Sequence, residues 1–432
     1  MPKCTTVAIA GCGSRGYGAY SIHAKKMPDR MKIVAAADLI PERLERMAKE
    51  YELPREMCFS SAEELLRQDK LADVLFVCVQ DRDHVRLALE AIRKGYDILL
   101  EKPISPDLHE CAQLVKTAAE YHRTVTVCHV LRYTPFYQKI KELIDSGTIG
   151  SIANITAVES VGYWHQAHSF VRGNWRSSKE TSPMILAKSC HDMDILLWLS
   201  GKRCKTVSSF GNTFLFREDK APEGAAFRCL DGCRCKDSCP YDAEKIYLDN
   251  KATGFRQGND QWPCDVLSLH PTEESILKAI KEGPYGRCVY HCDNDVVDHQ
   301  VVNMEMEDHS TISFTMCAFG EKVHRTIRIM GTLGQIEGDT EDYIIRCTPF
   351  GGETQVIDIN AIAEDLSGHG GGDAQMIREL FDQAQNPDTA KEPLTSVEKS
   401  VESHFVALAA ERSRLQNGAS IQMDSFVREF SE

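Results

Sequence analysis

No stretch of this chain is long and apolar enough to span a bilayer, and its first residues, Met1-Pro2-Lys3-Cys4-Thr5-Thr6, carry no apolar leader. Positive charge is also short. Fifty Lys and Arg stand against 64 Asp and Glu, and a formal charge of −14 argues against nucleic acid or an anionic membrane as the natural partner. Heptads, low-complexity tracts and internal repeats are missing, so neither a coiled coil nor a solenoid is expected. What remains is a globular protein whose default location is the cytoplasm. Cysteine, by contrast, is plentiful at 17. A chain of 432 residues is long enough for two or three domains with cores of their own, so it needs no disulfide staples and its thiols are expected to be reduced.

The chain is organised around Thr5-Thr6-Val7-Ala8-Ile9-Ala10-Gly11-Cys12-Gly13-Ser14-Arg15-Gly16. An apolar, strand-like run ends in glycines at G-x-G-x-x-G spacing, and a helical stretch follows. Gly11 permits the tight turn, Gly13 lets backbone approach a pyrophosphate, and Gly16 lets the new helix pack closely on the strand, its N-terminal amides facing phosphate. A second apolar run, Lys32 to Ala37, ends in Asp38, about twenty residues past the last glycine. A carboxylate there accepts hydrogen bonds from the adenosine ribose and repels a 2′-phosphate. No arginine immediately follows it, so the cofactor expected is NAD.

Strand and helix alternate through residue 130. Helices are expected at Pro41 to Tyr51, Ser61 to Gln68, Asp83 to Gly95 and Pro106 to His122, and strands at Val74 to Val79, Tyr96 to Leu100 and Thr124 to Val130. This reads as an α/β fold with a doubly wound parallel sheet and its ligand at the strands' C-terminal ends. After a helix at Tyr137–Ser146 the pattern changes. Longer strands at Ile152 to Val161, Thr206 to Phe216, Thr311 to Cys317, Val323 to Met330 and Tyr343 to Cys347 imply an open, mostly antiparallel sheet, with helices on one face and the other free to meet a second subunit. Two late helices, Asp373 to Gln385 and Val397 to Leu415, close the chain. The expected division is 1–130 for dinucleotide and 131–432 for substrate and oligomerisation, with a cysteine-rich insertion at about 218–290.

Two stretches carry chemistry. Leu100-Glu101-Lys102-Pro103 directly follows an inner strand, where the nicotinamide should lie; proline pre-sets the turn and Glu101 can hold it. Oxidising a carbinol needs a base for the hydroxyl proton while hydride leaves, and a desolvated ammonium beside a positively charged ring gives up its own proton more readily. The second stretch is Leu186-Ala187-Lys188-Ser189-Cys190-His191-Asp192-Met193-Asp194. On one helix Lys188 and His191 would share a face, with Asp194 three further along to orient the imidazole, the natural acid–base partner for a sugar hydroxyl.

Gly11-Cys-Gly-Ser-Arg-Gly16, Glu101-Lys-Pro103 and the His191-Asp-Met-Asp helix, in that order, resemble the glucose–fructose oxidoreductase / inositol dehydrogenase / rhizopine catabolism (Gfo/Idh/MocA) family, over nearly all the chain apart from the insertion. The resemblance implies a Rossmann domain followed by an α/β domain with an open antiparallel sheet. It also implies tightly held NAD(H) or NADP(H), a sugar or polyol substrate, a dimer or tetramer, and Lys102 with His191 as the catalytic pair. One departure stands out. Where the commonest family pattern has an aspartate four residues before the histidine, this chain has Ala187, with Lys188 one position later, so a second lysine would bind or polarise the substrate hydroxyl.

Other candidates follow from placement. Gln80, His84 and His129 sit at strand ends facing the cofactor, with Cys12, Ser14, Arg15 and Glu101. Arg132 and Tyr133 lead into the second domain. The polar–aromatic loop Gly162 to Arg176 offers Trp164, His165, His168, Arg172, Asn174 and Trp175 for a carbohydrate, whose C–H-rich faces suit aromatic rings. Asp192 and His369 complete the substrate set; His369 or Asp373 would be presented by the glycine-rich segment before the penultimate long helix. In the insertion, Cys229, Cys233, Cys235 and Cys239 invite a structural zinc reading, although the spacing lacks a C-x-x-C knuckle; buried or reactive thiols are the other reading. The functions expected are oxidation of a secondary alcohol on a sugar, cyclitol or glycoside, a redox-neutral glycosidase that oxidises only transiently, or a non-catalytic NAD(H) sensor.

Overall fold

The structure, a computed structural model, describes residues 4–385 and 392–431. Strands β1 (Thr5–Ala10), β2 (Met31–Ala37), β3 (Cys58–Phe59), β4 (Val74–Val77), β5 (Asp97–Leu100) and β6 (Val125–Val127) form one sheet in the order β3-β2-β1-β4-β5-β6, every neighbour parallel. The order reverses between β1 and β4, which opens the crevice where such sheets bind ligands. β4 is buried at all four positions because helices cover both faces of the sheet. The covering helices start where their sequences say they should. Pro41 occupies the first turn of Pro41–Tyr51, and the Ser61 hydroxyl accepts the Glu64 amide at 3.2 Å to cap Ala62–Arg67.

The second sheet contains β7 (Ile152–Gly162), β8 (Cys204–Asn212), β9 (His299–Met306), β10 (Thr311–Gly320), β11 (His324–Gly331), β12 (Gly334–Asp339), β13 (Ile344–Pro349), β14 (Gln355–Asp358) and β15 (Ile421–Gln422), in the order β14-β13-β12-β11-β7-β10-β9-β8-β15. It is antiparallel except for the central β7–β10 pair. The helices Pro135–Asp145, Cys190–Ser200 and Val397–Leu415 pack on it. The C-terminal half returns to the first sheet: the Val127 amide donates to the Thr395 carbonyl at 2.9 Å, and the Ile104 amide to His404 Nε2 at 2.7 Å.

Residues 213–298 leave between β8 and β9, two adjacent strands, and build a small core of Tyr241, Tyr247, Ile276 and Ile280 around Ala167 and Val171. β8 stops at Asn212 instead of running to Phe216, because the buried Asp298 carboxylate takes the amides of Phe214 and Leu215, each at 2.8 Å, and draws the chain off the sheet. A second difference bears on the site. Lys188 and His191 do not share one helix: Met184–Ala187 ends at Lys188, and a new helix begins at Cys190.

Candidate active site

The glycine loop is shaped for a dinucleotide by what its glycines leave out. Gly11 has φ +95°, and a Cβ there would fall 2.3 Å from the Cys78 carbonyl oxygen; one on Gly16 would fall 2.0 Å from the Gly11 oxygen. The helix that follows is π-wound over Ser14–Ser21 before becoming α-helical at Ile22–Lys26. Asp38 is buried at the end of β2, its Oδ2 accepting the Cys12 amide at 2.7 Å and its Oδ1 the Ile40 amide at 2.8 Å, so the carboxylate faces the loop that it was expected to serve. Cys12 points inward, its thiol 3.6 Å from the Ala37 carbonyl and pushed up to about 12 by burial, then by Asp38. Ser14 is exposed beside it.

Arg15 ties this loop to the rest of the site. Its Nε donates to Glu101 Oε1 at 2.6 Å, and Nη2 donates to Asp373 Oδ1 at 2.7 Å and to the Tyr20 hydroxyl, which donates on to Glu101. Burial alone would raise the Glu101 carboxyl, but Arg15 and Lys102 outweigh it and hold it below the usual carboxylate range. Glu101 Oε2 also accepts the Lys102 amide at 3.0 Å, which sets the turn carrying that lysine. Lys102 Nζ then donates to the Ala187 carbonyl at 3.0 Å, reaching from the first domain to the break before Cys190.

Across that break lies His191, whose Nδ1 is buried without a partner. Burial, and then Lys102, His369 and His129, push its imidazole well below its ordinary value. The His369 ring is 5.8 Å from it, centre to centre, in a left-handed conformation with φ +49°, and its Nδ1 lies 3.0 Å from Asp373 Oδ2. His129 stands on the other side at 6.1 Å. Lys188 turns instead to Glu159 at 3.1 Å, an acid on β7 that is fully buried. Arg325 from β11 touches Glu159 at 2.6 Å and Asp192 at 2.7 Å, closing a buried quartet of two cations and two anions. Burial lowers Lys188 despite Glu159, and burial with the nearby Glu159 raises Asp192 despite Arg325.

Several expected residues are engaged elsewhere. Asp194 does not orient His191: it takes Arg132 bidentately at 2.8 and 2.6 Å, and His129 Nδ1 stands at 2.9 Å. Arg132 also donates to the Leu394 carbonyl at 3.0 Å, and the Tyr133 hydroxyl bonds Thr395 at 3.1 Å, so both brace the domain junction and are corrected as substrate contacts. His84 lies between the carbonyls of Pro103, at 2.7 Å, and Val79, at 3.1 Å, holding the Glu-Lys-Pro turn from behind, while Gln80 is exposed. His168 bonds Tyr247 at 2.9 Å and stacks on Tyr285 at 4.7 Å; Arg172 donates to the Arg287 and Tyr241 carbonyls, each at 2.7 Å. Those two belong to the insertion's core, which corrects their reading as sugar ligands. Asn174 is exposed, and Trp175 donates to the buried Asp81 at 3.2 Å. Trp164 and His165 do reach the pocket side. The His165 ring has a buried, unpartnered Nδ1, and burial, followed by Lys188, His168 and Lys102, lowers it well below its ordinary value.

The zinc reading is also corrected. Cys229 accepts the Ala243 amide at 3.4 Å and Arg172 Nη2 at 3.6 Å, and the same guanidinium feels Cys288 and Cys292, so these thiols gather around a fixed cation. Cys235 turns to the Glu223 carbonyl at 3.3 Å, and Cys233 and Cys239 are half-buried. Among the described residues no group of three or more His, Cys, Asp or Glu converges as metal ligands, and no helix is long and apolar enough to cross a membrane. Glu159, Arg325 and Trp262, whose indole meets the His165 ring at 4.9 Å, went unread in the sequence. Only Glu159 left a trace there, as an acid at an inward position of an alternating strand.

Comparison with known proteins agrees with this architecture. The oxidoreductase-family model for an NAD-binding Rossmann fold, Gfo/Idh/MocA, matches residues 5–129, and the model for the family's C-terminal alpha/beta domain matches residues 141–423. The YteT protein of Bacillus subtilis, an oxidoreductase by name, is 25% identical over 398 residues, 87% of this chain and 88% of its own. An inositol 2-dehydrogenase of Corynebacterium glutamicum is 23% identical over 212 residues, 48% of this chain and 57% of its own. A solved oxidoreductase from Agrobacterium radiobacter, in complex with NAD+, L-tartaric acid and magnesium, shares the fold with a TM-score of 0.68 at 14% identity, covering 98% of this chain and 99% of that one. Both family domains follow one another here over the two sheets described, and the chain therefore belongs to the Gfo/Idh/MocA family of NAD-binding oxidoreductases.

Proposed function

We propose that the protein oxidises a secondary alcohol of a sugar, cyclitol or glycoside, with Lys102 and His191 as its acid–base pair. The observation that carries this reading is that Lys102 crosses from the dinucleotide domain to the Ala187 carbonyl, beside a buried imidazole with an open nitrogen. Bound NAD would supply the hydride acceptor, and Gly11, Gly13, Gly16 and Asp38 are the residues that would hold it. The substrate hydroxyl would give its proton to the Lys102/His191 system, and the neutral state of His191 favoured by burial leaves it able to accept one. Lys188, fixed by Glu159, would hold a neighbouring hydroxyl. His165 and Trp164 would form the sugar-facing wall, and His369 the opposite side. The inositol dehydrogenase among the relatives supports a small polyhydroxylated substrate. The test is to release and identify any co-purifying nucleotide, then follow NADH formation over a panel of sugars, inositols and glycosides. Failure of the whole panel to yield NADH or product would remove the proposal.

A second reading rests on His165. Its buried, unpartnered nitrogen beside Lys188 is an acid–base group beyond what simple oxidation requires. A redox-neutral glycosidase, which oxidises the ring, eliminates the aglycone and returns the hydride, would use it. Release of aglycone from an aryl glycoside without accumulation of NADH distinguishes the two.

A further inference from the structure

The phosphate-binding loop lies under more positive charge than its glycines require. A Cβ built on Gly13 would meet Arg43 Nη1 at 3.5 Å, so this guanidinium sits over the bare backbone where a pyrophosphate is expected. The same nitrogen is 3.8 Å from Asp38 Oδ2. Arg46 lies 3.6 Å over the Tyr17 ring and donates to the Cys12 carbonyl at 3.3 Å. The Nε of each arginine is buried without a partner. Buried donors are normally paired, and two open ones facing a phosphate-binding loop point to an anion.

The insertion supplies a matching acid. Asp265, in the short helix Cys264–Leu267, has a buried Oδ1 without a partner, and the cations whose field reaches it are Arg46 and Arg43. Three residues earlier, Trp262 rests on His165 and on Trp164, at 4.9 and 5.4 Å. One segment of the insertion therefore touches the substrate wall and opposes the arginines of the cofactor loop.

We propose that Arg43 and Arg46 bind the pyrophosphate of the dinucleotide, and that Asp265 is the counter-charge the pyrophosphate displaces. A carboxylate and a pyrophosphate compete for the same guanidinium forks and repel each other, so the nucleotide enters by moving Asp265 aside. Trp262 moves with it, and loading the cofactor thereby adjusts the wall that meets the substrate.

The test uses the full chain freed of nucleotide, titrated with NADH by fluorescence and chased with NAD+. R43M and R46M are expected to raise the dissociation constant about tenfold each, with R46K retaining most of the binding. D265N is expected to lower it about threefold by removing the competing charge. NAD+ should alter the emission of the four tryptophans in the wild type and lose most of that effect in W262F. Equal losses for NAD+ and NADP+ in the arginine variants support the pyrophosphate; a loss confined to NADP+ overturns it. An unchanged or weakened affinity in D265N overturns the displacement, and this single variant decides the matter if the arginine variants fail to fold. Wild-type protein that binds no NADH would overturn the cofactor reading as well, whereas binding unaffected by all three changes overturns this inference alone.

Discussion

At the scale of single residues, the site is defined by which polar atoms have partners and which are left open. Lys102 has one neutral partner, the Ala187 carbonyl, and His191 leaves Nδ1 bare, so these two groups are available for proton transfer. Lys102→Met and His191→Asn should each lower kcat by about 10²–10⁴, the usual worth of a positioned acid or base, with NADH affinity within a few-fold of wild type. Retained turnover in both variants would refute the assignment. The pH dependence follows from burial. Because His191 is held well below 6.5, its accepting form persists into mild acid, and the acidic limb of kcat/KM should lie below that ordinary histidine value. A limb centred above pH 7 would contradict this. His191, Lys102 and Glu101 were legible in the chain as motifs because their spacing along it mirrors their chemistry. Glu159 and Arg325 were not, since one lies on β7 and the other on β11, 166 positions apart in number, and only strand pairing brings them together.

At the scale of elements, the catalytic groups depend on turns and helix ends. Gly16→Ala would drive a methyl to 2.0 Å from the Gly11 oxygen, prising the helix from β1; its NADH affinity should fall roughly tenfold or more, measured by fluorescence titration. The helix Cys190–Ser200 is moored by Asp194 to Arg132. Arg132→Met would leave that carboxylate buried and unpaired and should cost about 3–5 kcal/mol in chemical denaturation. Asp194 itself is held at about 2, against 3.8 ordinarily, by Arg132 and His129 in spite of burial. Its contribution to stability is therefore complete above the unfolded value and is lost as the pH falls through about 2. Helix and strand periods predicted the Rossmann elements closely. They placed Lys188 and His191 on one helix and erred, because no local signal marks the break at Ser189; that break follows from Lys188 turning to the buried Glu159.

At the scale of the molecule, two sheets and an insertion converge on one crevice. The face of the second sheet that carries Thr156, Ser313, Thr315 and Arg328 lies opposite its buried side chains, and we take it as the candidate contact with further copies. Sedimentation should give a mass of two or four times 48.4 kDa, and a monomer at micromolar concentration would exclude that assembly. The sequence by itself determined the alternating fold, the dinucleotide loop and the identity of the lysine and histidine, because each of these is written in short-range spacing. The tertiary structure alone decided what faces what: Arg132, His168 and Arg172 turned inward as struts, Arg172 took the place among the thiols that a metal was expected to fill, and Trp262 came to the pocket. A side chain's partner is set by the packing of segments distant in the chain, and burial then allows charge only where a partner stands ready.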